Sequence, residues 1–327
     1  MLERTLMAVD GMRLFFSRPL PERVVTAARA DFTVTVRDSN APMGRDEMAV
    51  ALGAHDVLIP TLGDCLDAAV FAEALHPRAG LLANFGVGYN HIDVQAARAA
   101  GVQVTNTPGA VTDATADIAL MLMLMSARRA GEGERLVRSG KWTGWHPTQM
   151  LGLHLGGKTC GIIGMGRIGQ AIARRAHFGL GMQVVYVNRS EKALDFEARQ
   201  LLGLPDLLGQ SDMVVLAVPG GGTTRHLIGA SELAQMQPHA HLINIARGDV
   251  VDEAALITAL QEGQIAAAGL DVYEHEPSVP EALREMENVT LLPHLGTAAL
   301  DVREGMGMMA VENAIAYLEG RALPNLV

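Results

Sequence analysis

Short apolar runs alternate with longer stretches rich in Ala and Arg through the first third of the chain. Runs at residues 13–16, 32–36, 56–59, 81–84 and 102–105 predict buried strands, and stretches such as 21–30 predict helices between them. The alternation from Met12 to Val104 therefore predicts one α/β unit. Asn106-Thr107-Pro108-Gly109 breaks it with strong turn formers, and a domain crossing is expected there.

Residues 112–129 carry a long helical pattern, with Thr112 and Asp113 at the start to cap it and Arg128 and Arg129 at the end, where the helix dipole favours cations. Its apolar positions fall on nearly every side. It is either a helix buried in its own domain or one whose surplus face closes a homodimer. Further strands are expected at 159–163, 183–187, 213–217, 241–245, 267–270 and 289–292, and six strands joined by crossovers describe a doubly wound parallel sheet. Residues 297–318 predict a long helix that can return to the first domain. The expected fold class is thus α/β with two doubly wound parallel-sheet domains, one at 1–108 plus 297–327 and the other at 109–296.

Composition narrows the function. A chain of 327 residues with 49% hydrophobic, 4% aromatic and 35 Gly suits helices packed closely on parallel strands better than an all-β sandwich. Lys+Arg 26 against Asp+Glu 36 gives a formal charge of −10, so the broad basic surface of a nucleic-acid binder is not expected. The longest strongly apolar run, 118–125, falls short of the ~20 residues that span a bilayer, so no membrane segment is expected. Glu3 and Asp10, with no small-residue cleavage site, argue against a secretory signal. Cys65 and Cys160 are far apart and form no CxxC, which points to a reducing, cytoplasmic setting.

Gly164-Met165-Gly166-Arg167-Ile168-Gly169 follows one apolar strand and precedes a helix at 170–177. A lone GxGxxG arises readily by chance among many glycines, but this context makes it a dinucleotide fingerprint. Gly164 permits the tight turn, Gly166 lets the backbone approach a pyrophosphate, and Gly169 lets helix and strand pack closely. An NAD site places Asp or Glu at the end of the next strand. This chain has Val187-Asn188-Arg189-Ser190 instead, and Arg189 and Ser190 can donate to a 2′-phosphate that Asn188 does not repel. NADP(H) is therefore expected over NAD(H), the alternative being an ordinary solvated arginine after a strand.

Arg247, the acidic cluster at 271–276 and His294 each follow an expected strand, at the carboxyl edge where open parallel sheets bind ligands. Gly86-Val87-Gly88-Tyr89-Asn90-His91-Ile92-Asp93, the glycine motif, Asn244-Ile245-Ala246-Arg247-Gly248, Gly269-Leu270-Asp271-Val272-Tyr273-Glu274-His275-Glu276-Pro277 and Pro293-His294-Leu295-Gly296 together resemble the D-isomer-specific 2-hydroxyacid dehydrogenases, in family order and spacing. The Val-Asn-Arg-Ser segment further resembles the NADPH-using glyoxylate/hydroxypyruvate reductase branch.

The resemblance implies an active site in a cleft between the two domains, a small 2-keto or 2-hydroxy acid as substrate, and a homodimer. It makes Arg247 the cation for the substrate carboxylate, His294 the general acid and Glu276 the carboxylate that orients the histidine. These roles agree with the chemistry, since keto-acid reduction needs a carboxylate-binding fork and a proton donor that titrates near neutrality. Glu274 competes for the role of Glu276, but the family pattern has the glutamate directly before the proline. Glu274-His275-Glu276 also suggests a metal site, yet no second ligand pair with suitable spacing follows, so no metal is expected. By the same resemblance, the backbone of Val87 and Gly88 receives the substrate carboxylate, with Asn84 and Phe85 adjoining. Val218, Pro219, Ile245, Ala246, Asp271 and Gly296 fall beside the cofactor, although Asp271 can equally just end its strand. Gly220-Gly221-Gly222 departs from the family, in which a Leu or similar residue often follows the proline. Trp142 and Trp145 lie either near a subunit contact or buried between domains.

Three rivals stay open on the sequence: another substrate of the same family (phosphoglycerate, a bulkier 2-keto acid, formate or phosphite), a dinucleotide-sensing corepressor-like binding protein, and NAD(H) as the preferred cofactor.

Overall fold

The computed structural model describes residues 11–74 and 76–327. Glu3 and Asp10 lie outside the described residues. The chain divides into two compact units, one running up to Val111 and resuming at Ala299–Val327, the other spanning Thr112–Ala298.

The first unit holds the strands Arg13–Phe16 (β1), Thr33–Val36 (β2), Val57–Ile59 (β3), Leu81–Ala83 (β4) and Gln103–Thr105 (β5), all parallel in the order β2-β1-β3-β4-β5. Alternate side chains enter two cores. Leu14, Phe16, Val57, Ile59, Leu81 and Ala83 face one side, and Phe15, Leu58 and Leu82 face the other. Burial on both faces explains why these strands are continuously apolar in the sequence. The helix Leu300–Leu318 packs on the first of these cores, against the helix Glu22–Arg29 and β4. It begins three residues later than the pattern suggests, after an extended Ala299.

The second unit holds Thr159–Ile163 (β6), Gln183–Val187 (β7), Arg199–Gln200 (β8), Met213–Leu216 (β9), His241–Asn244 (β10), Ala267–Leu270 (β11) and Val289–Leu291 (β12). Their order, β12-β11-β10-β9-β6-β7-β8, reverses direction at β6, where the chain makes the switch that dinucleotide sites exploit. The sheet has seven strands rather than the expected six. The extra strand, β8, is a two-residue edge pairing Arg199 and Gln200 with Val185 and Tyr186, too short to leave a periodic signal.

The long helix spans Thr112–Ala127 and stops before Arg128, because Arg129 takes a left-handed φ of 52° and opens a second helix, Ala130–Arg138. The long helix buries Ala116, Ala119, Leu122 and Met123 against β10, β11 and the helix Arg167–Leu180. Arg175 joins the two helices by pairing with Asp113 and Asp117, each at 2.9 Å. Much of the apolar surface is thus consumed within the unit, but Leu124 stays exposed, as do Val137, Trp142, Trp145 and Leu151 after it. Trp142 and Trp145 are 51% and 79% exposed. Among the described residues, no helix is long and apolar enough to cross a membrane.

Candidate active site

At the end of β6 the chain turns through Gly164, which has a φ of +98° and lies so close to β9 that a Cβ there would stand 2.7 Å from Ala217 O. Gly169, inside the helix Arg167–Leu180, presses on Gly164 itself, its missing Cβ falling 2.0 Å from Gly164 O. Both positions accept only glycine. Gly166 differs, since the space beside it is open. It forms the N-terminal boundary of that 14-residue helix, so unpaired amides and the positive end of the helix dipole face a space that a pyrophosphate can approach. The residues present therefore fit a dinucleotide. Met165 is buried and its amide donates to Asn188 Oδ1 at 3.1 Å, tying the turn to the end of β7. Asn188 Nδ2 donates to Ser190 O at 2.7 Å, while Arg167, Arg189 and Ser190 are exposed and Ile168 is half-buried.

Three loops beyond β9, β10 and β11 are built tightly together. After β9, Val218 is half-buried and Pro219 exposed. A Cβ on the next residue, Gly220, would stand 2.6 Å from Arg247 Cγ, so the stem of the arginine occupies the room that a leucine would need. The glycine that departs from the family pattern is thereby coupled to the arginine. After β10, buried Asn244 folds the turn by accepting from Ala246 N at 3.0 Å and donating to Arg247 O at 2.9 Å. Ile245 and Ala246 are buried beneath. Arg247 Nη1 donates to Ala246 O at 2.7 Å. Burial lowers the Arg247 pKa, while the negative charges of Glu276 and Asp249 oppose that shift. Asn244 is a supporting residue that the sequence reading did not single out, although an Asn at a strand end ahead of a turn carries a recognisable local signal.

His294 Nδ1 and Glu276 Oε2 lie 2.8 Å apart, and Glu276 Oε1 accepts from Tyr273 N at 3.0 Å. Burial pushes the Glu276 carboxyl up, but the hydrogen bond and charge of His294, the Tyr273 amide and Arg247 outweigh it, and its pKa is lowered. His294 itself takes a left-handed φ of 54°, a conformation that β-carbon sterics disfavour and that clusters at functional sites. Asp271 accounts for part of this. Its two oxygens accept from Leu295 N at 2.6 Å and Gly296 N at 2.9 Å, and its carbonyl accepts from His294 N at 2.9 Å. Asp271 thus clamps the histidine loop. Its pKa is raised by burial against these amide bonds.

Glu274 is engaged elsewhere, by His226 Nε2 at 2.8 Å and Arg225 Nη2 at 3.1 Å, while Glu276 lies against His294. In the first unit, the carbonyls of Gly86, Val87 and Gly88 are all taken up by the protein. Asn84 Nδ2 donates to Gly86 O and Gly88 O at 2.9 and 3.1 Å, Asn106 Nδ2 to Val87 O at 2.9 Å, and Thr107 N to Gly86 O at 3.1 Å. Phe85 N donates to Pro60 O at 2.9 Å. With the carbonyls committed, the amides of Val87 and Gly88 find no acceptor among the described residues, as an anion-binding backbone nest requires.

Residues 120–296 match the model of the D-isomer specific 2-hydroxyacid dehydrogenase NAD binding domain. Over 321 residues the chain is 44% identical to a glyoxylate reductase of Thermococcus gammatolerans, covering 96% of this chain and 95% of that one. A glyoxylate reductase of Pyrococcus horikoshii is also 44% identical, over 324 residues, with 96% and 95% covered. Among solved structures, an NADPH-dependent glyoxylate/hydroxypyruvate reductase from Sinorhizobium meliloti, in complex with NADP and malonate, superposes with a TM-score of 0.87 at 34% identity, covering 97% of this chain and 96% of that one. The glycine turn, the arginine turn and the Glu276–His294 pair lie on the unit that carries the matched segment, and the chain belongs to the D-isomer specific 2-hydroxyacid dehydrogenases, an oxidoreductase family.

Proposed function

We propose that this oxidoreductase reduces small 2-keto acids, glyoxylate and hydroxypyruvate, to glycolate and D-glycerate with NADPH. The observation that carries the reading is the 2.8 Å pairing of His294 with Glu276, beside a loop that presents Arg247. A dinucleotide held by its pyrophosphate at the glycine turn would supply the hydride from its reduced nicotinamide. His294, with Nδ1 engaged by Glu276, offers Nε2 and its proton to the carbonyl oxygen. Glu276 holds the ring in place through Nδ1. Arg247 binds the carboxylate with its planar fork, and the amides of Val87 and Gly88 are donors suited to an anion. Asp271 and Gly296 hold the histidine loop, and Val218, Pro219, Ile245 and Ala246 line the cofactor side.

The preference for NADP(H) rests on Asn188, Arg189 and Ser190, which stand where an NAD site has a carboxylate. The relatives named glyoxylate reductase and the Sinorhizobium structure with NADP support the choice of substrate and cofactor. The exposed apolar residues Leu124, Val137, Trp142, Trp145 and Leu151 support a homodimer through the Thr112–Ala127 region, and a monomer by light scattering would sink that part. The deciding experiment measures reduction of a panel of 2-keto acids with NADPH and with NADH. Glyoxylate and hydroxypyruvate with NADPH should give the highest kcat/KM, and turnover of none of the panel would overturn the reading in favour of a dinucleotide-sensing binding protein.

A further inference from the structure

We propose that Glu274, held by His226 and Arg225, is a positioning residue that sets the Glu276–His294 pair for catalysis. The inference rests on the reading of that pair as the acid centre. Glu274 is the meeting point of three loops. From the loop after β9, His226 Nε2 and Arg225 Nη2 reach the same oxygen, Oε1, at 2.8 and 3.1 Å. After β10, Glu253 Oε1, at the start of the helix Glu253–Gln261, accepts from Glu274 N at 2.9 Å. In the loop before that helix, Gly248, next to Arg247, lies against the Tyr273–Glu274 backbone so closely that a Cβ would stand 1.8 Å from Tyr273 C. The loop after β11 contains Glu274 itself, and two residues later Glu276 takes Tyr273 N with one oxygen and His294 with the other.

The anchor is specific rather than incidental. The Glu274 side chain is 11% exposed, so its negative charge is drawn out of water and needs the donors it has. Its pKa is lowered, because the His226 hydrogen bond and charge, with the Glu253 and His275 contributions, outweigh the opposing effect of burial. His226 takes a left-handed φ of 48° to make this contact, and its amide donates to Asp249 O at 2.7 Å. A non-glycine residue holds that conformation only where its surroundings over-determine it. The tether thus fixes the segment 273–276 through contacts separate from the bond to His294. Cutting it frees Glu276 to shift, and the histidine ring loses its orientation while the carboxylate grip of Arg247 and the glycine turn keep their own supports.

The test is a double-mutant cycle on the full-length enzyme with glyoxylate and NADPH. His226→Ala should lower kcat roughly 10-fold, with KM for both substrates little changed, because misplacing a reacting group acts on turnover. His226→Gln, which returns an N–H donor near the position of Nε2, should recover most of the loss and guards against a folding defect in the alanine variant. In a Glu276→Gln background the His226→Ala cost should shrink to less than about twofold, since the two residues act on one group. Equal cost in both backgrounds, a parental kcat in His226→Ala, or no recovery in His226→Gln would overturn the tether. Glu276→Gln turning over at the parental rate would instead overturn the acid-centre reading on which the tether rests.

Discussion

Glu276 divides its two carboxylate oxygens between Tyr273 N, at 3.0 Å, and His294 Nδ1, at 2.8 Å, so one side chain fixes both its own loop and the ring of the proposed acid. His294→Ala removes the proton donor and should lower kcat by ~10² to 10⁴-fold with little change in the KM for glyoxylate. Glu276→Gln keeps the shape but loses the charge-assisted bond that orients the ring, and should cost roughly 10- to 100-fold. Steady-state NADPH oxidation measures both. A His294→Ala variant turning over near the parental rate would sink the mechanism.

Arg247 and Gly220 form a second pair with a clear consequence. Arg247→Ala deletes charge-assisted bonds to the substrate carboxylate worth ~1.5–3 kcal/mol, and should raise the KM for glyoxylate by roughly 10- to 150-fold. Arg247→Lys should recover little, because a point charge does not reproduce the planar fork. Gly220→Leu brings a side chain into space that the Arg247 stem fills, a Cβ alone standing 2.6 Å from Cγ. It should raise the KM for glyoxylate while the KM for NADPH stays unchanged. A Gly220→Leu enzyme with parental kinetics would show that the stem has another place to go.

Cofactor choice turns on the end of β7. Asn188→Asp preserves the acceptor for Met165 N but sets a negative charge where a 2′-phosphate would bind. Arg189→Ala removes the cation. Each should reduce the NADPH to NADH ratio of kcat/KM, by roughly 10- to 150-fold for the arginine. An unchanged ratio in both variants would mean that the 2′-phosphate is not recognised there.

What the sequence reveals about this molecule follows from how local each signal is. β6 and β7 are readable to the residue because both faces are buried, Ile162 and Val184 in one core and Ile163 and Val185 in the other, which makes each run continuously apolar. β8 is not, since two residues at a sheet edge carry no period. The glycine turn declares itself through its local spacing, Gly169 being forced by the Gly164 backbone a few residues earlier, whereas the contact that forces Gly164 is with Ala217, distant in the sequence. Glu274 and His226, 48 residues apart, share no local pattern, and only the folded loops bring them together. The same holds for Gly220, whose departure from the family looks like a weakness in one dimension and is matched in three dimensions by the Arg247 stem.

His241 supplies a prediction about stability rather than turnover. The residue is 6% exposed and its Nδ1 lies 2.7 Å from Ser126 Oγ, a pairing between β10 and the helix Thr112–Ala127. Burial, with a smaller push from neighbouring His239, holds its pKa down to about 4, against 6.5 for an ordinary histidine. The folded state therefore binds fewer protons than the unfolded chain between those two values. Stability from this residue is complete above about pH 6.5 and is lost as the pH falls toward 4, by about 2 kcal/mol between pH 7 and pH 5. His241→Asn keeps a polar atom near Nδ1 but does not titrate, so its unfolding free energy should fall less steeply over that window. Urea titrations at pH 7 and pH 5 measure the difference. Parallel losses in the parent and His241→Asn would show that other groups carry the acid sensitivity of the fold.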